Sequence, residues 1–352
     1  MSAYRTARPT PDVACSFCGK SSQEVRKLLA AERASICDDC VELCRDIVAE
    51  QAQKARPERT TREAIEALFD ERVVGHAEAK RALTAALLER KARAGRPFRA
   101  PRVLLVGPLG VGKSALGHAL VAAVPNDGHA TSVGRMSEHG YVGDDVEHAL
   151  AGLLAVCGRD AARAGDGVLF LDDVDALSTA PSRRHARDIS GERVQHELVR
   201  LLDGQVVEVA GAQLGEVTRI DTRSLTVVAA VRAPAHVATG TAGLRAALRE
   251  LGLIEPLVAR FDRLVWVAPP SPAETVALVA RQLAEANRVL ASSGCRLELA
   301  PGVAEAIAAQ AHQGHGWAVR ALFRIFLEAA LLERPRVAYV DQGALQRFWG
   351  GA

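Results

Sequence analysis

The chain has 352 residues, of which 49% are hydrophobic and 24% charged, and its 44 basic residues nearly cancel its 42 acidic ones to leave a net charge of +2. That length exceeds what one core supports, so two or three domains are expected, and the composition excludes a disordered or fibrous protein. The charge balance excludes a global polycation of the kind that holds nucleic acid by counterion release. There is no run of eighteen apolar residues, and Met1–Thr10 lacks a signal-peptide core. The expectation is a cytoplasmic protein with no membrane-spanning helix.

Five of the seven cysteines lie between Cys15 and Cys44. In a reducing compartment such clustering points to metal ligation before disulfides. Cys15-Ser-Phe-Cys18 and Cys37-Asp-Asp-Cys40 form two C-x2-C pairs, the spacing of a structural four-cysteine zinc site, with a degenerate or redox pair as the alternative. Each pair sets two thiolates on one side of a tight knuckle, and Gly19 suits the turn. Four soft ligands leave no open position, so such a zinc holds the fold and does no catalysis. Cys44, one helical turn after Cys40, reads as a small buried apolar residue. Residues 10–50 are thus a zinc-binding domain, and the polar, proline-containing stretch 51–60 reads as a linker.

A second domain is expected over 61–268. Pro101–Val106 reads as a buried strand, and Ala115–Val124 as an apolar-periodic helix. Between them stand Gly107, Pro108, Leu109, Gly110, Val111, Gly112, Lys113 and Ser114, a complete Walker A motif in its required strand–loop–helix context. Its glycines let backbone N–H groups converge on phosphates, Lys113 reaches the β and γ phosphates of ATP or GTP, and Ser114 can ligate magnesium. Gly167–Leu171 is an apolar run that ends in Asp172 and Asp173, as a Walker B strand does. Asp172 would hold the magnesium shell and Asp173 would polarise the attacking water.

Further strands are expected at Ala130–Val133, Leu225–Val231 and Leu264–Val267, alternating with helical patterns. The fold class is therefore α/β, a parallel sheet between helices with the nucleotide at the strands' carboxyl ends. After Pro269-Pro270, helical patterns over Pro272–Ala291, Pro301–Gln310 and Trp317–Leu332 predict a small helical domain spanning 269–345.

The order of Walker A, Gly140–Glu147, Walker B and Arg187–Gln195 resembles the ClpX family, the AAA+ unfoldases that feed the Clp protease. The Cys-Ser-Phe-Cys-Gly-Lys-Ser and Ile-Cys-Asp-Asp-Cys-Val-Glu-Leu-Cys runs are similar to that family's zinc module, and the resemblance covers Cys15 to about Glu333. It implies an ATP-driven homo-hexameric ring that binds unfolded or tagged proteins and pulls them through a pore, using ATP, Mg2+ and Zn2+. Under it, Val73, Val74 and Gly75 contact the adenine. Tyr141 and Val142 form the pore loop that grips substrate, the alternative for Tyr141 being a turn residue. Arg260 presents an arginine finger to a neighbouring subunit, the alternative being a surface arginine.

The chain also departs from that pattern. The family's Walker B ends in Asp-Glu where this chain has Asp172-Asp173, and the shorter carboxylate sits back by about 1.5 Å, so slow hydrolysis is expected. The sensor-two arginine falls on Trp317, with Arg320 as a substitute nearly one turn later. The strand Leu225–Val231 ends in apolar residues where a polar sensor is usual. The insertion carrying an Ile-Gly-Phe tripeptide is missing between His236 and Glu250, so docking to the Clp protease is not expected. The expected function is an ATP-dependent unfoldase or remodelling chaperone, and the alternative is a catalytically weak, nucleotide-regulated interaction scaffold.

Overall fold

The computed structural model describes residues 14–21, 23–30, 34–44, 61–93, 99–133, 144–179, 189–210, 217–236, 240–314, 317–333 and 335–349. The chain divides into two compact units, Met1–Pro57 and Glu58–Ala352.

In the first unit, strands β1 (Leu28–Ala30) and β2 (Ser35–Cys37) pair antiparallel with Leu28 opposite Cys37, and a helical segment, 38–44, follows. The buried core is Cys15, Cys37 and Cys40, with Val25, Leu28 and Ile36 packed against it. So few apolar side chains cannot offset the entropy of ordering the chain without a further tie.

The second unit opens with α1 (Arg62–Arg72), whose N-terminus is capped by the Thr61 hydroxyl accepting from the Ala64 N–H, and continues with α2 (Ala77–Arg93). The central sheet is built from β3 (Arg102–Gly107), followed by α3 (Lys113–Ala123), and β4 (Gly128–Ser132), followed by α4 (Asp144–Val156) and α5 (Ala161–Gly165). Then come β5 (Val168–Asp172), α6 (Ile189–Leu202), the antiparallel hairpin β6 (Val206–Ala210) and β7 (Val217–Asp221), and β8 (Thr226–Arg232). Helices α7 (Thr241–Glu250) and α8 (Glu255–Ala259) lead to β9 (Arg263–Trp266). The five sheet strands are parallel in the order β4-β5-β8-β3-β9.

Helices cover both faces, which is why the central strands are continuous apolar runs, β3 being buried at every position. Leu104, Leu169 and Val227 pack with Leu150 of α4 and Leu198 of α6 on one face. Val103, Phe170 and Val228 pack with Phe69, Leu83 and Leu116 of α1 to α3 on the other. Gly117 lets α3 lie against β5, since a Cβ there would stand 2.1 Å from the Phe170 ring.

The C-terminal part comprises α9 (Pro272–Leu290), β10 (Arg296–Leu299), α10 (Val303–Gly314), α11 (Trp317–Glu333), β11 (Val337–Val340) and α12 (Gln342–Trp349) around their own core of Val279, Leu297, Val319 and Leu322. The sequence expectation of three helices there is incomplete: β10 and β11 form a two-stranded parallel sheet. Four-residue strands are too short to show a period of two, and only their pairing identifies them. The hairpin β6–β7 was likewise not expected, and β8 runs one residue beyond Val231, to Arg232. Among the described residues, no helix is long and apolar enough to cross a membrane.

Candidate functional site

The first unit gathers four sulfurs. Gly19 takes the left-handed conformation, φ +77°, and its N–H donates to the Cys15 carbonyl, closing the first knuckle. Cys37 ends β2, and Cys40 sits one turn into the helical segment. The Sγ atoms of Cys15, Cys18, Cys37 and Cys40 all lie within 4.8 Å of one another, Cys15 to Cys40 at 3.8 Å and Cys18 to Cys37 at 3.7 Å.

Four sulfurs at about 2.3 Å from a tetrahedral zinc stand about 3.8 Å apart, so the set fits that ion. Burial opposes ionisation of the Cys15 thiol, but N–H groups of the knuckle and of Cys37 outweigh it and bring the pKa down to about 6. Burial raises that of Cys40, with its neighbouring sulfurs adding to the rise. Cys44 is half-buried and outside the cluster.

The second unit gathers the nucleotide motifs at the carboxyl ends of the sheet strands. Gly110 (φ +76°) and Gly112 (φ +108°) bend the loop between β3 and α3 through conformations that side chains disfavour. Gly107 approaches β9 so closely that a Cβ would meet the Val267 carbonyl oxygen at 2.3 Å. Lys113 begins α3, and its Nζ donates to the carbonyls of Gly107 at 2.8 Å and Pro108 at 2.7 Å. Burial pushes its pKa down to about 8 against the opposing pull of Asp175 and Asp172. Lys113 and Ser114 share a small cleft, about 70 Å³, with Asp172 and Asp173.

Asp172 is the last residue of β5 and lies opposite Ser132 at the end of β4. Asp173 adopts φ +56°, uncommon for a residue with a side chain. Its N–H donates to Asp172 Oδ1, and its Oδ2 accepts from the Ser132 hydroxyl, both at 3.0 Å.

An adjoining cavity of about 310 Å³ is lined by Val73, Val74, His76, Val111 and, from α9, Leu278. Gly75 is not in that lining. It makes a left-handed turn, φ +72°, where a Cβ would stand 2.2 Å from Glu274 Oε1, so the turn between α1 and α2 seats the first turn of α9 closely. Arg320 of α11 lines both the cavity and the phosphate cleft. The arrangement fits ATP, with a half-apolar pocket for a base beside a lysine-and-glycine cradle, and carboxylate and hydroxyl oxygens for Mg2+.

Arg260, at the end of α8, donates from Nε and Nη2 to Asp203 at 3.0 and 2.9 Å and from Nη1 to the Pro256 carbonyl at 3.0 Å. This pairing holds the Asp203 carboxyl below its usual range. Gln195 of α6 is fully buried and ties three segments together, donating to the carbonyls of Leu177 and Gly252 and accepting from the Ile254 N–H. Tyr141 and Val142 lie outside the described residues.

Ser132, which bonds Asp173 beside the cleft, and Arg232, which lines it, carry no sequence motif. The apolar run that predicts this strand stops at Val231, whereas β8 extends to Arg232, a cation that lines the phosphate cleft and is paired with Asp175. The strand therefore ends in a polar residue.

A parallel sheet with this loop, lysine and acid pair at its carboxyl edge defines a P-loop ATPase domain, and residues 103–267 match the model of AAA, the ATPase family associated with various cellular activities. Residues 13–50 match the ClpX C4-type zinc finger. The chain is a ClpX-like protein, an AAA+ ATPase chaperone of the ClpX type whose zinc finger takes Zn2+ and whose AAA domain uses ATP and Mg2+.

Proposed function

We propose that this chain hydrolyses ATP to unfold or remodel proteins, working as a homo-hexameric ring that passes polypeptide over a pore loop containing Tyr141 and Val142. The observation that carries the reading is the meeting of Lys113, Asp172 and Asp173 in one cleft, in a chain that also has a ClpX-type zinc finger. The proposed organisation is a zinc domain at 10–50, a linker at 51–60, a large ATPase domain at 61–268 and a small domain at 269–345.

Lys113 offsets phosphate charge, and Val73 and Val74 frame the base. Mg2+ held by Ser114 and Asp172 would neutralise charge on the phosphate oxygens. Asp173 orients a water whose oxygen bonds to the terminal phosphorus as the bond to the bridging oxygen breaks. ADP leaves with that electron pair, and the water's proton passes to Asp173. Arg260 is assigned to a neighbouring subunit's phosphates, which requires it to exchange Asp203 for them.

Steady-state ATP turnover of the full chain, with and without an unfolded protein, tests this. Stimulated turnover supports the reading, and ATP binding with no turnover in either condition would replace it with the nucleotide-regulated scaffold. The second reading draws on Asp173, whose shorter side chain is held by Ser132. For the pore loop, Tyr141→Ala should weaken unfolding of a tagged fluorescent protein while leaving basal turnover in place. Equal unfolding by both forms would remove the pore-loop assignment.

A further inference from the structure

At the end of the sheet away from the Walker motifs lies a second cavity, about 390 Å³, lined by α2 and by the first residues of β3 and β9. β3 runs from Arg102 at this cavity to Gly107 at the phosphate loop, a span of about 16 Å at the rise of a strand. The cavity shares no lining residue with the base pocket or the phosphate cleft, so a nucleotide bound there leaves it open.

Ala82, Ala85 and Ala86 of α2 make the space with their short side chains, and charge gathers around it. Four arginines, Arg93, Arg99, Arg102 and Arg263, line it with two carboxylates, Glu89 and Asp262. Arg102 is 1% exposed, and its buried Nε and Nη1 have no hydrogen-bond partner. Neither carboxylate relieves it. Asp262 Oδ2 accepts from the Arg102 backbone N–H at 3.2 Å, not from the guanidinium, and Glu89 pairs with Arg93. Arg99 donates from Nη2 to the Leu202 carbonyl at 3.2 Å, whereas Arg263 is exposed and has no ion pair among the described residues.

A guanidinium stays charged when buried, so the donors of Arg102 need an acceptor from outside the chain, and the cavity it lines is where one can enter. Guanidinium forks match phosphate oxygens, and an excess of arginines over carboxylates selects a ligand with more than one negative charge. The volume exceeds that of a phosphate ion and falls in the range of small-molecule sites, which leaves room for an organic substituent.

We propose that this cavity binds a small phosphate-bearing molecule, with Arg102 as its buried anchor and Arg263 as an exposed second contact, at a site separate from the nucleotide cleft.

The test is phosphate binding by the full chain saturated with Mg2+ and the non-hydrolysable β,γ-imido analogue of ATP, which fills the cleft. Inorganic phosphate and glycerol 3-phosphate are titrated by calorimetry and by thermal unfolding, with ionic strength fixed by chloride. Wild type should bind saturably, with Tm rising by about a few degrees. Tighter binding of the ester identifies an organic phosphate as the ligand, equal binding identifies the free ion, and both support the site. The binding should persist in Lys113→Met without nucleotide, because it does not use the phosphate loop.

Arg102→Met should weaken phosphate binding about tenfold or more, since hydrogen bonds to a charged group contribute roughly that factor. Without phosphate its Tm should be no lower than that of wild type, because an apolar side chain replaces a buried, unpaired charge. Should that variant fail to fold, Arg263→Glu, at an exposed position, is read in its place, with a similar loss expected from charge reversal. No saturable binding in wild type, binding lost in Lys113→Met, or binding unchanged in the arginine variant would overturn the proposal. The analogue's own binding is measured first, so the ATP reading stands or falls separately.

Discussion

The Ser132 hydroxyl donates to Asp173 Oδ2 at 3.0 Å across the ends of β4 and β5, so the carboxylate expected to orient water is tied to the neighbouring strand. Asp173 also stands at φ +56°, so its backbone and its side chain are both constrained. Ser132→Ala should raise kcat severalfold with nucleotide affinity unchanged, because the carboxylate is then free to swing toward the phosphates. Asp173→Glu, which lengthens the reach by one methylene, should act in the same direction. Steady-state kinetics with a separate binding measurement checks both, and a lower kcat in Ser132→Ala would show that the hydroxyl positions the carboxylate instead of restraining it.

Lys113 leads to a pH dependence. Burial brings its pKa down to about 8, and only the ammonium form compensates phosphate charge. Below about pH 8 the free protein already holds the proton, while above it binding must take one up. ATP affinity should therefore be flat through neutral pH and fall as pH rises past about 8. Lys113→Met should bind weakly with no such inflection. Calorimetry at pH 7, 8 and 9 measures this, and a wild-type affinity that climbs with pH would contradict it.

Zinc should hold the first unit together. Among the described residues the buried core there is three cysteines with three partly buried aliphatics, so the metal carries much of the unit's stability. Chelation should release one zinc per chain and make the segment around Cys15 to Cys40 the first site of proteolysis. Cys37→Ser should mimic that state, and a chelated protein with unchanged protease resistance there would refute the claim.

Gly75→Ala joins two penalties, a side chain at φ +72° and a Cβ 2.2 Å from Glu274 Oε1. Displacing the start of α9 should widen the cavity at Val74 and Leu278. The expected outcome is a lower Tm by a few degrees, corresponding to about 1–2 kcal/mol, and weaker ATP binding. Gly240→Ala is the control, since its Cβ would meet nothing within 4 Å and its φ is −70°.

What could be read from the sequence alone was whatever a contiguous stretch determines. Two C-x2-C knuckles dictate their own turns, and the run from Gly107 to Ser114 carries its conformation in its glycines, so zinc and nucleotide chemistry were legible residue by residue. The apolar runs of β3, β5 and β8 announced a sheet covered on both faces. Their spatial order was not legible, because β8 lies between β5 and β3 although more than fifty residues separate it from β5 in the chain. That order alone brings Arg232 to Asp175, just as the pairing of β4 with β5 brings Ser132 to Asp173 and the packing of the C-terminal helices brings Arg320 to the cleft of Lys113 and Asp172. Side chains that meet at strand ends share no local pattern, and only the tertiary structure decides which of them become one site.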